Sequence, residues 1–313
     1  MRKGQGDMAG DRAGERVRVL LNGDAGTLRG SDVAAVADQV RSALAARWPD
    51  PDITITCKAD AGRDLARALD DKPDLLVVGG GDGTISGAVA AARETDVTLA
   101  VLPLGTMNLV ARDIGMPLDL PAALDALVGA EPQRISLGMA NDRVFVSHVS
   151  FGVHPRMVHH RDRQQGHSKL MKRLATLYSS LVTWRESPRE RVVIAAGKDV
   201  RRVETNLVVI ANTPFAEGSG VPPKRGDLGG RELALYVSQA TTRIDSLRLA
   251  GELFSGRWND TPLMDVTLSA EARVVGSRRR HLLCSIDGEL HRFAGTVDCR
   301  VLPESLSILV PAG

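Results

Sequence analysis

The segment LLVVGGGDGTISGAVAAA, from Leu75 to Ala92, constrains the fold of this chain most strongly. An apolar run typical of a buried strand leads directly into a glycine-rich loop, and a helical pattern begins after the loop. A strand, a tight loop and a helix in this order form half of a parallel βαβ unit. Glycines open backbone N–H groups to a ligand and the helix adds its positive end, which favours a bound phosphate. A tight turn without a ligand is the alternative, because one glycine loop is a weak motif.

Strand-like and helical segments alternate from Arg16 to Ala130, with the apolar runs VRVLLN, ITITC, DLLVVGG and VTLAVLP between helical stretches. This alternation predicts an N-terminal, Rossmann-like parallel α/β domain whose sheet is covered by helices. Ligands of such sheets bind beyond the carboxyl ends of the strands. Three loops, NGDAG, GGGDGT and PLGTMN, are expected to meet there. After Glu131, many short strand-like runs separated by turn residues predict a C-terminal β-sandwich domain.

The composition narrows the class of partner. Aromatic residues make up 3% of the 313 residues and the formal net charge is +2, which argues against a general nucleic-acid binder. Cys57, Cys284 and Cys299 are scattered and fit neither a disulfide framework nor a zinc site, which indicates a reducing cytosol. No run approaches the roughly 18 apolar residues of a membrane span. We therefore expect a soluble protein, or one bound only to a membrane surface.

Four motifs follow one another along the chain: LLNGDAG at 20–26, GGDGT at 80–84, LPLGTMN at 102–108 and SIDGEL at 285–290. In this order they resemble the motifs of the diacylglycerol kinase catalytic domain family, which also has sphingosine and ceramide kinases among its kin. The resemblance covers nearly the whole chain and implies an active site in the cleft between the two domains. The implied boundaries are 16–133 with a returning C-terminal strand at 303–311 for the nucleotide-binding domain, and 134–302 for the lipid-binding β-sandwich. Residues 1–15 are expected to be a disordered leader.

The resemblance also implies a reaction, the transfer of a phosphoryl group from ATP, with Mg²⁺, to a lipid hydroxyl. On the matching positions, Asp287 and Glu289 would activate the hydroxyl, and Asp82 would help to hold Mg²⁺. The implied nucleotide-binding residues are Asn22, Gly26, Gly80, Gly81, Asp82, Gly83, Thr84, Thr106 and Asn108. A carboxylate that takes the proton of a poorly nucleophilic alcohol suits this chemistry. Taken alone, Asp-Gly between two strand-like runs is a hairpin signal, so SIDGEL is also interpreted as a turn.

Several positions depart from the family pattern. Gly87 stands where a glutamate is expected, Leu109 where an aspartate usually follows the asparagine, and Ser136 where Asp-Leu-Gly usually begins. Without these carboxylates, any Mg²⁺ network that starts at Asp82 has fewer ligands. The family often has a loop aspartate that helps to bind a structural Mg²⁺, and Asp227 is the nearest match to it. A solvated turn is the alternative interpretation of Asp227.

The segment 168–187 combines apolar residues at helical spacing with lysines and arginines. It is predicted either to pack on the β-sandwich as an amphipathic helix or to meet anionic lipid headgroups. With the family resemblance, we expect a cytoplasmic protein in peripheral contact with the inner face of the cell membrane. Its expected ligands are ATP and a lipid, and nucleic acid is not expected. The oligomeric state stays open, with a homodimer as one option.

Three alternative functions remain. An NAD-kinase-like soluble kinase would share the GGDGT loop, but the GTMN and DGE segments argue against it. A catalytically weak regulator that binds nucleotide or lipid gains weight from the lost carboxylates, while the presence of Asp82, Asp287 and Glu289 argues against it. A dinucleotide oxidoreductase is the most distant alternative, because the glycine spacing differs from GxGxxG.

Overall fold

The structure is a computed structural model and describes residues 15–28, 32–152, 189–218, 222–276 and 281–312. Contacts between residues divide the chain into two compact units. Unit 1 comprises the described residues of Met1–Ala111, Gly115–Gln133 and Ser307–Gly313, and unit 2 those of Arg112–Ile114 and Arg134–Leu306. The predicted lipid-facing helix at 168–187, and the predicted leader up to residue 14, lie outside the described residues.

Unit 1 is built on a parallel sheet with the strand order β2–β1–β3–β4. These strands are β1 (Val17–Asn22), β2 (Asp52–Thr56), β3 (Leu75–Gly80) and β4 (Thr98–Pro103). Every residue of β3 is buried, which explains its unbroken apolar sequence. The last part of the chain adds to the same sheet, since Ser307 and Ile308 pair in parallel with β4.

Helices connect the strands of unit 1. They are α1 (Val33–Leu44), α2 (Ala61–Asp70), α3 (Asp82–Ala92), α4 (Leu109–Asp113) and α5 (Leu120–Val128). The side chain of Asp32 accepts the N–H groups of Ala34 and Ala35 and so caps α1. The short α4 differs from the others, because its last two residues belong to unit 2.

Unit 2 contains two antiparallel sheets. The first has the order β12–β11–β10–β7–β14–β15, in which the strands are β7 (His148–Gly152), β10 (Leu207–Ala211), β11 (Leu233–Ser238), β12 (Met264–Ser269), β14 (Leu282–Ile286) and β15 (Glu289–Phe293). The second includes β5 (Glu131–Ala140), β6 (Arg143–Phe145), β8 (Glu190–Ala196), β9 (Asp199–Thr205), β13 (Glu271–Gly276) and the first residues of β16 (Thr296–Val310).

Strand β10 is apolar throughout because it contributes to two cores. Val208 and Ile210 join a cluster with residues of both sheets, as expected for a β-sandwich. The alternate residues of β10 pack instead with α6 (Arg243–Phe254) on the other face of the first sheet. The predicted fold class, a parallel α/β part followed by antiparallel β-sheets, is thus confirmed. None of the helices in the described part of the chain has the length and apolar character that crossing a bilayer requires.

We predict that Gly138→Ala destabilises unit 2. Gly138 of β5 lies opposite Phe145 of β6, and a Cβ atom at Gly138 would lie only 2.1, 2.3 and 2.5 Å from three ring carbons of Phe145. The ring is fully buried, so close-packed neighbours resist its displacement. The free energy of unfolding, measured by urea denaturation, should fall by about 1–3 kcal/mol. Gly62→Ala in α2, where no neighbouring atom lies within 4 Å, should leave it unchanged or raised. Equal losses in both variants would contradict the prediction.

Candidate active site

The three loops expected at the carboxyl edge of the unit 1 sheet are in contact with one another. Asn22, at the end of β1, donates through Nδ2 to Oγ1 of Thr84 at 2.8 Å. Gly26 lies beside Thr106, since a Cβ atom on Gly26 would be 3.5 Å from Oγ1 of Thr106. The predicted nucleotide-binding residues of unit 1 therefore lie in three adjoining loops.

Close packing accounts for several of the glycines. A Cβ atom on Gly105 would lie 2.6 Å from Cα of Gly81, so the glycine loop and the GTMN loop touch backbone to backbone. A Cβ atom on Gly80 would meet the side chain of Thr84 at 2.7 Å, and one on Gly79 would meet Leu21 at 2.6 Å. Packing therefore favours glycine at these positions, independently of any ligand.

The carboxylate of Asp82 holds the GTMN loop. Its Oδ2 accepts the N–H of Asn108 at 3.0 Å, and its Oδ1 accepts the N–H of Leu109 at 2.7 Å. These two donors lie at the start of α4, where helical N–H groups lack partners within the helix. Each oxygen keeps one further acceptor position, so a ligand can still approach the carboxylate at either oxygen.

Asn108 shapes the same loop. Its φ is +52°, in the left-handed region that asparagine tolerates better than most residues. The side-chain Oδ1 accepts the N–H of Gly105 at 2.8 Å, and Nδ2 donates to the carbonyl of Gly105 at 3.1 Å. The side-chain amide is therefore engaged by the loop itself, and its predicted contact with nucleotide stays a prediction.

The start of α3 suits a phosphate. Its N-cap is Gly81, and among the described residues no side chain caps the N–H groups of the first turn. These donors and the positive end of an eleven-residue helix fit an anion. Among the described residues, no group of three or more His, Cys, Asp or Glu side chains could hold a metal ion. The carboxylate of Asp82 is the kind of oxygen ligand that Mg²⁺ prefers and fits an ion that nucleotide phosphates would bring; this role stays a prediction.

In unit 2, SIDGEL forms the hairpin between β14 and β15. Ile286 pairs with Glu289, and the two residues between them, Asp287 and Gly288, have φ values of +46° and +89°. Positive φ at both positions is typical of a type I′ turn, for which Asp-Gly is a favoured sequence. The structure thus confirms that this segment is a turn. A catalytic role for Asp287 stays a prediction.

The side chain of Asp287 is buried although it lies in a turn. Its Oδ2 accepts the N–H of Val146 at 2.7 Å, and its Oδ1 accepts the N–H groups of Ser147 and His148 at 2.9 and 3.0 Å. We call residues 146–148 the strap. A carboxylate offers about four acceptor positions, so one remains, on Oδ2.

Burial raises the pKa of Asp287 to about 6, although the three strap amides lower it. The buried carboxylate of Asp113 raises this pKa further. With a pKa near 6, Asp287 is ionised at neutral pH and remains basic enough to accept a proton from a hydroxyl group. Groups with such shifted pKa values are candidates for chemistry.

Unit 2 contains a buried ion pair whose residues belong to none of the sequence motifs. Arg225 donates from its backbone N–H to Oδ1 of Asp113 at 3.0 Å and from Nε to Oδ2 at 2.9 Å. Both side chains are almost completely buried. Burial raises the pKa of Asp113, and the charge of Arg225 opposes this shift. Nη1 of Arg225 also donates to the carbonyl of Ser136 at 3.0 Å.

Two predicted site residues of unit 2 are not joined to Asp287. Glu289 is exposed on β15, and within the described part of the chain no hydrogen bond links it to Asp287. Asp227 forms a local turn, in which Oδ1 accepts the N–H of Gly229 at 2.8 Å and the carbonyl accepts Oγ1 of Thr213 at 2.7 Å. The roles of Glu289 in catalysis and of Asp227 in metal binding stay predictions.

We predict that Gly105→Ala weakens nucleotide binding. The added Cβ would lie 2.6 Å from Cα of Gly81 and 2.8 Å from Oδ1 of Asn108, so the two loops would have to separate. The dissociation constant of a non-hydrolysable ATP analogue, measured by calorimetry, should rise at least about tenfold, equivalent to 1.4 kcal/mol. Gly87→Ala is the matched control in α3, because a Cβ atom there meets nothing within 4 Å. Unchanged affinity in a folded Gly105→Ala protein would contradict the prediction.

Comparison with known families gives a match to each part of the chain. Residues 16–140 match the family described as the diacylglycerol kinase catalytic domain. Residues 147–310, more than half of the chain, match the family described as the YegS C-terminal NAD kinase beta sandwich-like domain.

Individual relatives give similar results. The chain is 41% identical over 104 residues to a "probable lipid kinase YegS-like" of Pseudomonas putida, covering 32% of this chain and 35% of that protein. It is 30% identical over 95 residues to a diacylglycerol kinase of Staphylococcus saprophyticus, covering 30% and 31%. An uncharacterized protein of Synechocystis is 24% identical over 248 residues, covering 76% of this chain and 55% of that protein. The chain thus spans about half of this last relative and about a third of the other two.

A solved structure shows the same fold. The crystal structure of a diacylglycerol kinase from Bacillus anthracis superimposes with a TM-score of 0.71. The superposition covers 95% of this chain and 97% of that chain, at 16% sequence identity.

Proposed function

The chain belongs to the family of the YegS C-terminal NAD kinase beta sandwich-like domain, and its residues 16–140 match the diacylglycerol kinase catalytic domain, so we propose that it is a lipid kinase that uses ATP and Mg²⁺ to phosphorylate a lipid hydroxyl. The acceptor is a diacylglycerol or a lipid of the sphingoid or ceramide type. The observation that carries this proposal is the buried carboxylate of Asp287, which three amides hold and burial keeps basic.

In this proposal the loops of unit 1 bind the nucleotide. The first-turn N–H groups of α3 receive the phosphates, and Asn22 and Thr106 line the same loops. Asp82 is the protein ligand proposed for Mg²⁺, which neutralises charge on the phosphates when it is bound. Asp82 also keeps the GTMN loop in place through the N–H groups of Asn108 and Leu109.

Asp287 is the proposed general base. The hydroxyl oxygen of the lipid attacks the γ-phosphorus of ATP. As it does so, Oδ2 of Asp287 takes the hydroxyl proton at its free acceptor position. The bond between that phosphorus and the bridging oxygen breaks, and ADP leaves. The strap amides fix the carboxylate, so the base is held in one orientation before the substrate arrives. Glu289 is proposed as a secondary carboxylate, with a smaller effect because it is exposed.

The alternatives differ in what they predict for turnover. A regulator would bind ATP or lipid without releasing ADP. An NAD-kinase-like enzyme would release ADP with a soluble nucleotide as the acceptor. The names of the relatives favour a lipid acceptor. The words NAD kinase in the description of the second family describe a β-sandwich-like domain and do not name an acceptor.

We predict that the protein releases ADP from Mg-ATP with one class of detergent-dispersed lipid, and that Asp287→Asn removes this activity. The panel contains diacylglycerol, ceramide, a sphingoid base and an isoprenoid alcohol. Loss of a general base lowers kcat by about 10² to 10⁴. In the wild type, kcat/KM should fall as pH drops below the pKa of Asp287, about 6, because the base must be ionised.

Two controls interpret the result. Asp287→Asn should bind an ATP analogue as the wild type does, since Asp287 belongs to unit 2 and the phosphate loops to unit 1. Glu289→Gln should reduce kcat less than Asp287→Asn. Full activity of Asp287→Asn would disprove the assigned base, and ATP binding with no ADP release on any lipid would favour the regulator.

We also propose that the protein is cytoplasmic and touches the inner face of the cell membrane to reach its substrate. Among the described residues, seven large hydrophobic side chains are exposed, and three of them, Ile244, Leu247 and Phe254, lie on α6. Their spacing of three and seven residues puts them on one face of the helix. The exposed Arg243 and Arg248 flank this face, an arrangement that suits a membrane with anionic headgroups.

We predict that Ile244→Glu weakens binding to vesicles of phosphatidylglycerol and phosphatidylcholine. Ile244 is 77% exposed, so the change removes apolar contact area with little effect on folding. Cosedimentation should show a severalfold smaller bound fraction. The matched control is Val200→Glu on β9, which is 66% exposed and carries the same added charge. Equal losses in the two variants would contradict a specific role for α6.

A further inference from the structure

We propose that Asn212 is a positioning residue that holds the strap against Asp287. The proposal rests on the proposed function for its catalytic meaning, while its structural part concerns only unit 2. Asn212 follows β10 directly and is fully buried. It touches the strap, rather than the carboxylate itself.

Each residue of the strap is hydrogen-bonded through both its N–H and its carbonyl. The three N–H groups face Asp287, and each of the three carbonyls accepts a separate hydrogen bond. The carbonyl of Val146 accepts from Nδ2 of Asn212 at 3.2 Å, and that of Ser147 from the backbone N–H of Asn212 at 2.9 Å. The carbonyl of His148 accepts from the backbone N–H of Asp287 at 3.0 Å. Asn212 therefore anchors two of the three peptide groups that bind the carboxylate.

The position requires a side chain that donates two hydrogen bonds. Nδ2 of Asn212 also donates to the carbonyl of Ser136 at 2.6 Å, so both of its hydrogens are used. Oδ1 is buried and has no hydrogen-bond partner among the described residues, so the two donor contacts orient the amide. An alanine would leave the carbonyl of Val146 buried and without this donor, which favours movement of the strap.

The charged groups near Asp287 leave the strap as its main source of stabilisation. Asp113, at the end of α4, is a like charge, and Arg225 is committed to Asp113 and to the carbonyl of Ser136. His148 lies in the strap, where Nδ1 contacts Oγ of Ser147 at 3.1 Å. If the strap amides move away from the carboxylate, its ionised form loses hydrogen bonds. The pKa of Asp287 should then rise.

The chain offers a matched control at the other end of β10. Asn206 precedes this strand as Asn212 follows it, and it is 3% exposed. Its Nδ2 donates to Oγ of Ser246 at 3.2 Å, and its Oδ1 is likewise buried with no partner in the described part of the chain. Asn206→Ala thus removes the same amide from the same strand without touching the strap.

The experiment compares Asn212→Ala, Asn206→Ala and wild type as full-length proteins. The carboxyl ¹³C shift of Asp287, assigned with Asp287→Asn, is followed against pH, and kcat and KM are measured on the lipid that supports ADP release. For Asn212→Ala we expect the pKa of Asp287 to rise by at least about half a unit. We expect kcat to fall about tenfold, KM for ATP to stay unchanged, and the acid limb of the pH profile to move upward. Asn206→Ala should behave as wild type in all these measurements.

The outcomes separate this proposal from the proposed function. If the wild type phosphorylates no lipid, the function fails, and the ¹³C titration alone decides the role of Asn212. An unchanged pKa of Asp287 in Asn212→Ala, or an equal shift in Asn206→Ala, would overturn the proposal. If Asn212→Ala does not fold, Asn212→Ser replaces it, because a hydroxyl keeps one donor, and the same shift in direction is expected. A folded serine variant with the wild-type pKa and kcat would equally refute the positioning role.

Discussion

The bonds between the carboxylate of Asp287 and the three strap amides constrain much of unit 2. A charge removed from water is costly unless hydrogen bonds replace its hydration. Three successive N–H groups can converge on one carboxylate only if the backbone leaves the regular strand geometry, and β6 and β7 are indeed separated at residues 146–147. The strap carbonyls then need donors of their own, which Asn212 and the backbone of Asp287 provide. The positive φ of Asp287 completes this arrangement in the turn that follows β14.

Unit 1 uses a carboxylate in a comparable way. Asp82 accepts two backbone N–H groups from the start of α4, and Asn108 closes the loop between them and Gly105. The glycines at 81 and 105 allow the two loops to touch. Both candidate sites are therefore built from backbone groups that a buried or half-buried aspartate organises. Such groups are fixed before a ligand binds, so little further ordering is needed when it arrives.

The sequence predicted the elements better than it predicted their contacts. Alternating apolar and helical runs predicted the parallel α/β part, and the Asp-Gly pair predicted the hairpin at 287–288. RVFVSHVSFGV, however, has the pattern of one strand, and nothing in it indicates the break that forms the strap. Asn212 and Arg225 also carry no local signal, because their partners Val146 and Asp113 are 66 and 112 residues away in the chain. Contacts of this kind depend on tertiary structure, which propensity and spacing do not contain.

The positions that depart from the family pattern lie where backbone groups already form the hydrogen bonds that fix the local structure. Leu109 is buried, and its N–H is bound by Asp82, so the loop is fixed without an aspartate at this position. Ser136 contributes its carbonyl to both Asn212 and Arg225, a contact that is independent of side-chain charge. Asp287 keeps its carboxylate, although burial opposes its ionisation. A buried carboxylate with a raised pKa that backbone groups hold in place is typical of a site of chemistry, which supports the proposed role of Asp287 over the regulator alternative.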